Sequence, residues 1–359
     1  MNLSTSNNYL VGIRCYTYNH ASYITDALNG FTMQQTSFPF ITMIVDDAST
    51  DGEQDVIAAY VEEHFDTQNG DVAYHKETDY AHITFARHKQ NKSCYIVVLY
   101  LKENLYSKKL NYKKREYLSE WIENIKYEAL CEGDDYWTDP LKLQKQVNFL
   151  EANPEYGMCY TNFDVLEQKT GKLIKSLFTT QPDRYPINYK TPEEFVYKKG
   201  YVCPPSWLVK RECLIPTNEQ IKSSDGTFVM FTHYLCTTKV HGMLDVTATY
   251  RELPESASHS KDYSKIAQRE LNLLHTQWAL IDKYNLRQSL KSECEVLYYK
   301  QRLVQFILHN DKAQIAQART IIKDRSIRDR ILFALDRMPF GYYFLRFVYK
   351  SRSLLKSLV

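Results

Sequence analysis

The eight cysteines form no C-x-x-C pair, and no histidines stand at zinc-ligand spacing. That argues against the common zinc modules. Cys15, Cys94, Cys131, Cys159, Cys203, Cys213, Cys236 and Cys294 are scattered, as expected of reduced thiols in a cytoplasmic protein. No window reaches the roughly 18 apolar residues that a membrane-spanning helix needs. The opening MNLSTSNNYL lacks the basic, apolar and small-residue regions of a secretory signal. Neither G-x-x-x-x-G-K-S/T nor G-x-G-x-x-G occurs, so a P-loop ATPase or a dinucleotide-binding Rossmann domain is not expected. A net charge of +2 over 359 residues gives no electrostatic reason to expect nucleic acid as a partner.

What is present is ordinary globular composition, 44% hydrophobic and 25% charged, long enough for one large domain or two ordinary ones. The 29 tyrosines suit a sugar-binding surface as well as a core. Residues 10–16 (LVGIRCY) and 40–45 (FITMIV) read as buried strands, and residues 22–34 and 54–65 carry apolar residues at helical spacing. Residues 72–75 suggest a third strand, so a parallel sheet with crossover helices is expected. Residues 77–125 are polar, basic and tyrosine-rich toward their end and read as an insertion of loop and helix. Residues 127–131 resume the sheet. Asp139-Pro140 opens a further helix, and residues 158–166 and 172–177 read as strands around Thr170-Gly171. Residues 202–209, with Pro204-Pro205, suggest an edge or loop. Residues 225–236 read as helix and 243–250 as strand.

Two acidic clusters follow two of these strands. Asp46 and Asp47 end FITMIV; Glu132, Asp134 and Asp135 end YEALC. In open parallel sheets, ligands bind outside the carboxyl ends of the strands, so both clusters line one crevice. Three carboxylates within four positions repel one another. A divalent cation is the simplest way to hold them together, with water and phosphate completing its oxygen shell. That points to a diphosphate-bearing substrate. DDASTDG is also a sequence of turn formers, and Ser224-Asp225-Gly226 an ordinary helix entry.

The runs YTYNHASYITDAL, IVDDASTDG and CEGDDYWTDPLKLQKQVNFLE resemble the family 2 glycosyltransferases of the GT-A fold, in particular the bacterial branch that builds surface polysaccharides. The likeness is strong over about the first 165 residues and thinner to about 260. It implies an α/β fold: a Rossmann-like, mostly parallel sheet flanked by helices. The last hundred residues carry no landmark of the family; there the sequence itself reads as long helices over 262–284, 288–310 and 312–323, a helical C-terminal region. The likeness implies that Thr17, Tyr18 and Asn19 contact the nucleotide and that Asp46 and Asp47 hold base and ribose, usually of UDP. EGDD stands at the family's D-x-D position, with Glu132 in place of the usual first aspartate. Asp135 is then the first choice for a Mn²⁺ or Mg²⁺ ligand, with Asp134 beside the ribose or metal. Asp225 matches the catalytic base, although Gly226 follows it where the family often has an aromatic residue. Arg251 and His259 fall in the loop that closes the core, beside the diphosphate and metal.

The implied activity is inverting, metal-dependent transfer of a hexosyl or N-acetylhexosaminyl group to a glycan or lipid-linked glycan. A nucleotidyltransferase is disfavoured because YTYNHAS replaces a Gly-rich phosphate loop. A nucleotide-sugar- or carbohydrate-binding module without turnover is the other alternative. The expected domains are a catalytic unit over 1–260, with the insertion at about 77–125, and a helical region over 261–359. From Thr320 onward nine Lys/Arg face three Asp/Glu among interspersed aromatic and aliphatic residues. Such a tail suits the inner face of a cell membrane as well as it suits a hairpin packed on its own domain. Lys108, Lys109, Lys113, Lys114 and Arg115 are expected to form a solvated face, with contact to an anionic acceptor as the minor alternative. Trp207 and Trp137 are candidates for sugar stacking, with core packing favoured for Trp137.

Overall fold

A computed structural model describes residues 9–216, 221, 223, 225–254, 262–338, 340–345 and 347. His259 lies outside the described residues. The strands are β1 (Val11–Thr17), β2 (Phe40–Asp46), β3 (Ala73–Glu77), β4 (Ala81–Arg87), β5 (Cys94–Leu101), β6 (Tyr127–Leu130), β7 (Tyr136–Trp137), β8 (Tyr156–Glu167), β9 (Lys172–Ile174), β10 (Trp207–Lys210) and β11 (Lys239–Glu252). The helices are α1 (Ile24–Thr32), α2 (Glu53–His64), α3 (Lys113–Tyr117), α4 (Ser119–Ile122), α5 (Lys142–Ala152), α6 (Leu177–Thr180), α7 (Pro192–Lys198), α8 (Gly226–Thr237), α9 (Tyr263–Lys283), α10 (Ser289–Leu308), α11 (Lys312–Ile321) and α12 (Ile327–Arg337).

The strands form one 11-stranded sheet in the order β3-β4-β5-β2-β1-β6-β10-β8-β11-β7, with β9 beside β8. β5, β2, β1 and β6 are parallel neighbours, as are β8 and β11; β4, β7, β9 and β10 run the other way. Alternation along the strands fills both faces. Val11, Ile13 and Cys15 meet Leu28, Phe31, Ile57, Val147 and Leu150 on one side. Ile41, Met43, Val45, Val97 and Leu99 meet Leu118, Trp121 and Ile122 on the other.

Three expectations are corrected here. The supposed insertion contains β4 and β5, and β5 is an interior strand paired with β2. Its sequence CYIVVLYL is a continuous apolar run, the mark of a strand buried on both faces. β10 is likewise interior, antiparallel between β6 and β8; Pro204-Pro205 forms a short 3₁₀ turn before it and removes no ladder donor from it. β3 pairs antiparallel with β4, so β5 is the third strand of the parallel core.

The chain divides into two compact units. The first comprises 1–192, 200–220 and 230–257; the second comprises 258–359 with 193–199 and 221–229. The second unit therefore includes Asp225, upstream of the expected boundary at 260. It is built from α9, α10, α11 and α12 with these two upstream segments.

Candidate active site

Register sets the site. Thr17 pairs with Asp46, and Asp46 with Tyr100, so the carboxyl ends of β1, β2 and β5 coincide. β6 runs parallel beside β1 and delivers the EGDD loop to the same edge. Gly133 crosses directly over Thr17: a Cβ there would lie 2.1 Å from Thr17 Oγ1. Only glycine permits that approach.

The loops after β1 and β2 are laced together. Asn19 and Ala48 both adopt left-handed backbone (φ 58° and 60°), which is unusual for residues with a Cβ and concentrates at functional sites. Asn19 N–H donates to Ser49 Oγ (2.9 Å), and Asn19 Oδ1 accepts from Thr50 N–H (2.8 Å). Tyr18 is exposed. Glu53, absent from the residues expected for the site, is fully buried and accepts from Thr17 Oγ1, His20 N–H (2.9 Å) and Ser49 Oγ (2.8 Å). Burial pushes its pKa up. The sequence signal was an acidic residue in the first turn of a helix, a position that ordinarily needs no further explanation. His20 extends the lacing: its Nδ1 is 3.1 Å from Thr17 Oγ1, and its Nε2 is 3.9 Å from Asp134 Oδ2.

The adjacent aspartates after β2 do different work. Asp46 Oδ1 accepts from Ser49 N–H (3.0 Å) and Gln54 Nε2 (2.5 Å), while its Oδ2 is buried without a partner. Asp47 is spent on the protein: it accepts from the Leu105 and Tyr106 amides (2.8 and 3.1 Å) and pairs with Lys114 (2.8 Å). Arg115 joins Arg14 on the buried Glu128 (3.0 and 3.1 Å). Burial opposes the charge on Glu128, but the two arginines outweigh it and hold its carboxyl below the usual range. Lys114 and Arg115 thus latch the segment after β5 onto the sheet, which corrects the solvated face expected for them.

In the EGDD loop, Glu132 is reached by solvent yet crowded by protein. That crowding, and then Asp134, raise its pKa. Asp135 is buried; its Oδ1 accepts from Arg251 N–H (2.8 Å), and burial followed by Asp134 raises its pKa strongly. Asp134 Oδ1 is buried with no partner. Arg251, expected near a diphosphate, is instead buried as a clamp. Its guanidinium bonds the Asp134 carbonyl (2.8 Å), Gln168 (2.7 Å) and Asp26 (2.6 Å) and lies over Tyr23 and Tyr136. Trp207 and Trp137 are both core residues, so neither offers a face to sugar.

No three His, Cys, Asp or Glu side chains form a metal-holding group among the described residues. The unpartnered Asp134 oxygen nevertheless fits a cation that takes one or two protein carboxylates and completes its shell with phosphate and water. In the second unit, Asp225 precedes α8. Its N–H donates to Ser223 Oγ (3.0 Å), and its Oδ1 accepts from Arg269 Nη2 (2.7 Å).

This mixed sheet with flanking helices and a helical C-terminal region is a GT-A-like fold, the class shared with sugar-transferring enzymes. The chain is similar over 95% of its length to TarS 1–349 of S. aureus solved with UDP-GlcNAc, with TM-score 0.53, 15% identity and 92% of that chain covered. TarS 1–349 solved without that ligand gives TM-score 0.53, 14% identity and 91% coverage. At such identity the likeness is one of fold. Among curated sequences, uncharacterised proteins of Mycobacterium bovis (strain ATCC BAA-935 / AF2122/97) and Mycobacterium tuberculosis (strain CDC 1551 / Oshkosh) are each 35% identical over 156 residues, 44% of this chain. The matched stretch is 36% of the length of these relatives. No protein-family model matches.

Proposed function

We propose that the chain is an inverting, metal-dependent family 2 glycosyltransferase of the surface-polysaccharide branch. It moves a hexosyl or N-acetylhexosaminyl group from a nucleotide sugar, of the UDP class, to a glycan or lipid-linked glycan at the cytoplasmic membrane face. The observation that carries this reading is the pair of buried, unpartnered carboxylate oxygens, Asp46 Oδ2 at the end of β2 and Asp134 Oδ1 in the loop after β6, at one carboxyl edge of the parallel strands. Each unmade interaction costs about 1–3 kcal/mol, and donors on a ligand offset that cost. TarS, which shares the fold, was solved with UDP-GlcNAc, and that supports the donor class.

In this reading Asp46 receives the nucleoside, and Thr17, Tyr18 and Asn19 form the adjoining wall. Asp47 acts through the loop it fixes at Leu105 and Tyr106. The free oxygen favours Asp134 over Asp135 as ligand to Mn²⁺ or Mg²⁺, with Asp135 and Glu132 supplying negative potential. A bound cation supplies positive charge where the nucleoside diphosphate leaves. Asp225 takes the proton from the acceptor hydroxyl as that oxygen bonds the anomeric carbon, contributing roughly 10²–10⁴-fold. Attack opposite the diphosphate turns an α-linked donor into a β-linked product. Arg269 keeps the Asp225 carboxylate oriented.

Calorimetric titration with UDP- and GDP-sugars, with and without Mn²⁺, tests the reading. The expected result is metal-dependent binding of one donor, lost in Asp134→Ala. Asp225→Asn is expected to keep that binding and lose turnover. Binding of no nucleotide under either condition would refute the donor site. Unchanged turnover in Asp225→Asn would remove the base.

A further inference from the structure

Helix α12 begins with a capping box, in which Ser326 and Asp329 exchange bonds. Its inner face buries Asp329, Leu332 and Phe333. Asp336 is held by Lys312 (2.8 Å) and Arg319 (2.7 Å). Both acids of this helix are therefore committed to the protein. The opposite face is apolar and in water: Ile327 is 78% exposed, Ile331 54% and Met338 57%. Residues 341–345 are again helical, and Phe340, Tyr343 and Phe344 are 77%, 65% and 58% exposed. Ile327 and Ile331 are four residues apart, and Tyr343 and Phe344 follow Phe340 by three and four, the spacing of one helical face. Arg330 and Arg337 flank the stripe of α12 on one side and Arg328 on the other, and all three are exposed. Large exposed apolar side chains set among arginines mark an interaction surface.

We infer that this face docks on an anionic phospholipid bilayer, lying in the headgroup plane with its apolar stripe in the acyl boundary. Charge complementarity selects that occupant. With Asp329 and Asp336 turned inward, the outward charge of α12 is positive, as an anionic surface requires. Two copies paired through the same face would set these arginines against one another. Among the described residues no helix is long and apolar enough to cross a membrane, so the contact is interfacial. The sequence beyond continues the same chemistry, with Lys350, Arg352 and Lys356 among Leu354, Leu355 and Leu358. The inference goes beyond sugar transfer and stands on the second unit alone.

The test is flotation of the full chain with vesicles of phosphatidylcholine, with or without phosphatidylglycerol, at low and high salt. The chain is expected to float with anionic vesicles only, and less at high salt. Arg330→Gln and Arg337→Gln should each weaken binding about fivefold, and Ile331→Glu and Phe344→Glu roughly tenfold or more. The altered side chains are exposed, so thermal unfolding and nucleotide titration should not change in these variants. That separates failure here from failure of the donor site. No flotation, or equal flotation with neutral vesicles, overturns the inference. So does a concentration-dependent dimer that Phe344→Glu disperses without any lipid binding.

Discussion

Lys142→Met is expected to stabilise the protein at neutral pH. Lys142 is fully buried at the first turn of α5, directly after the acidic loop. Its ammonium bonds Gln146 Oε1 (2.6 Å) and the Trp207 carbonyl (3.4 Å) and lies 4.4 Å from the Trp137 ring centre. No carboxylate pairs with it among the described residues. Burial lowers its pKa from 10.5 to about 8. A folded-state pKa below the unfolded one means that the unfolded chain holds more protons between pH 8 and 10.5, so stability rises with pH across that window. The gap corresponds to a cost near neutrality of about 3 kcal/mol. Methionine keeps the volume and a polarisable contact with Trp137. It strands Gln146 Oε1, at about 1–2 kcal/mol. The net expectation is a gain of about 1–2 kcal/mol at pH 7, shrinking by about 2 kcal/mol toward pH 10. Paired urea unfolding curves at the two pH values measure it. Burial holds the neighbouring thiols of Cys131, Cys159 and Cys203 protonated across this window, and loss of the Lys142 charge pushes them further up, so the pH-dependent difference reports Lys142. A variant that is less stable at pH 7, by an amount that does not change with pH, would refute the reasoning.

Two further expectations concern residues that support the site. Asp47→Ala should cost about 3–5 kcal/mol in urea unfolding, because it leaves the buried Lys114 unpaired and frees the Leu105 and Tyr106 amides; an effect within about 0.5 kcal/mol would show that the latch is unimportant. Arg251→Met should cost about 2–4 kcal/mol and weaken donor binding, since the Asp134 carbonyl, Gln168 and Asp26 lose their shared clamp. Donor affinity equal to the parent's would detach the clamp from the site.

The legible parts were those where local pattern and tertiary role agree. Val11–Thr17 and Phe40–Asp46 read as strands because they are short apolar runs that the sheet buries. The C-terminal helices read from spacing alone. Cys94–Leu101 was hidden by its basic, tyrosine-rich neighbours, and Trp207–Lys210 by two prolines that end before its ladder begins. Charged residues were the least legible. Lys114 and Arg115, expected on a solvated face, and Arg251, expected beside a diphosphate, each pair with an acidic residue of another segment. Such pairing leaves no local signature, because the partner of Arg251 at Asp26 is 225 residues away.

The acidic cluster that motivated the reading shows how function and stability divide one loop. Asp135 faces the Arg251 backbone amide, and Glu132 faces solvent. Asp134 has only the distant edge of His20 on one oxygen and nothing on the other. The protein gives Asp135 a donor and opens Glu132 to water, while crowding and Asp134 push the pKa of both upward. It leaves the third, beside a glycine that brings the loop onto Thr17, as the point where an incoming positive charge lowers the free energy most. If that oxygen were only a defect of packing, Asp134→Asn would stabilise the chain and leave nucleotide affinity unchanged. If it is the oxygen that takes the cation, the same substitution stabilises the chain and abolishes metal-dependent binding.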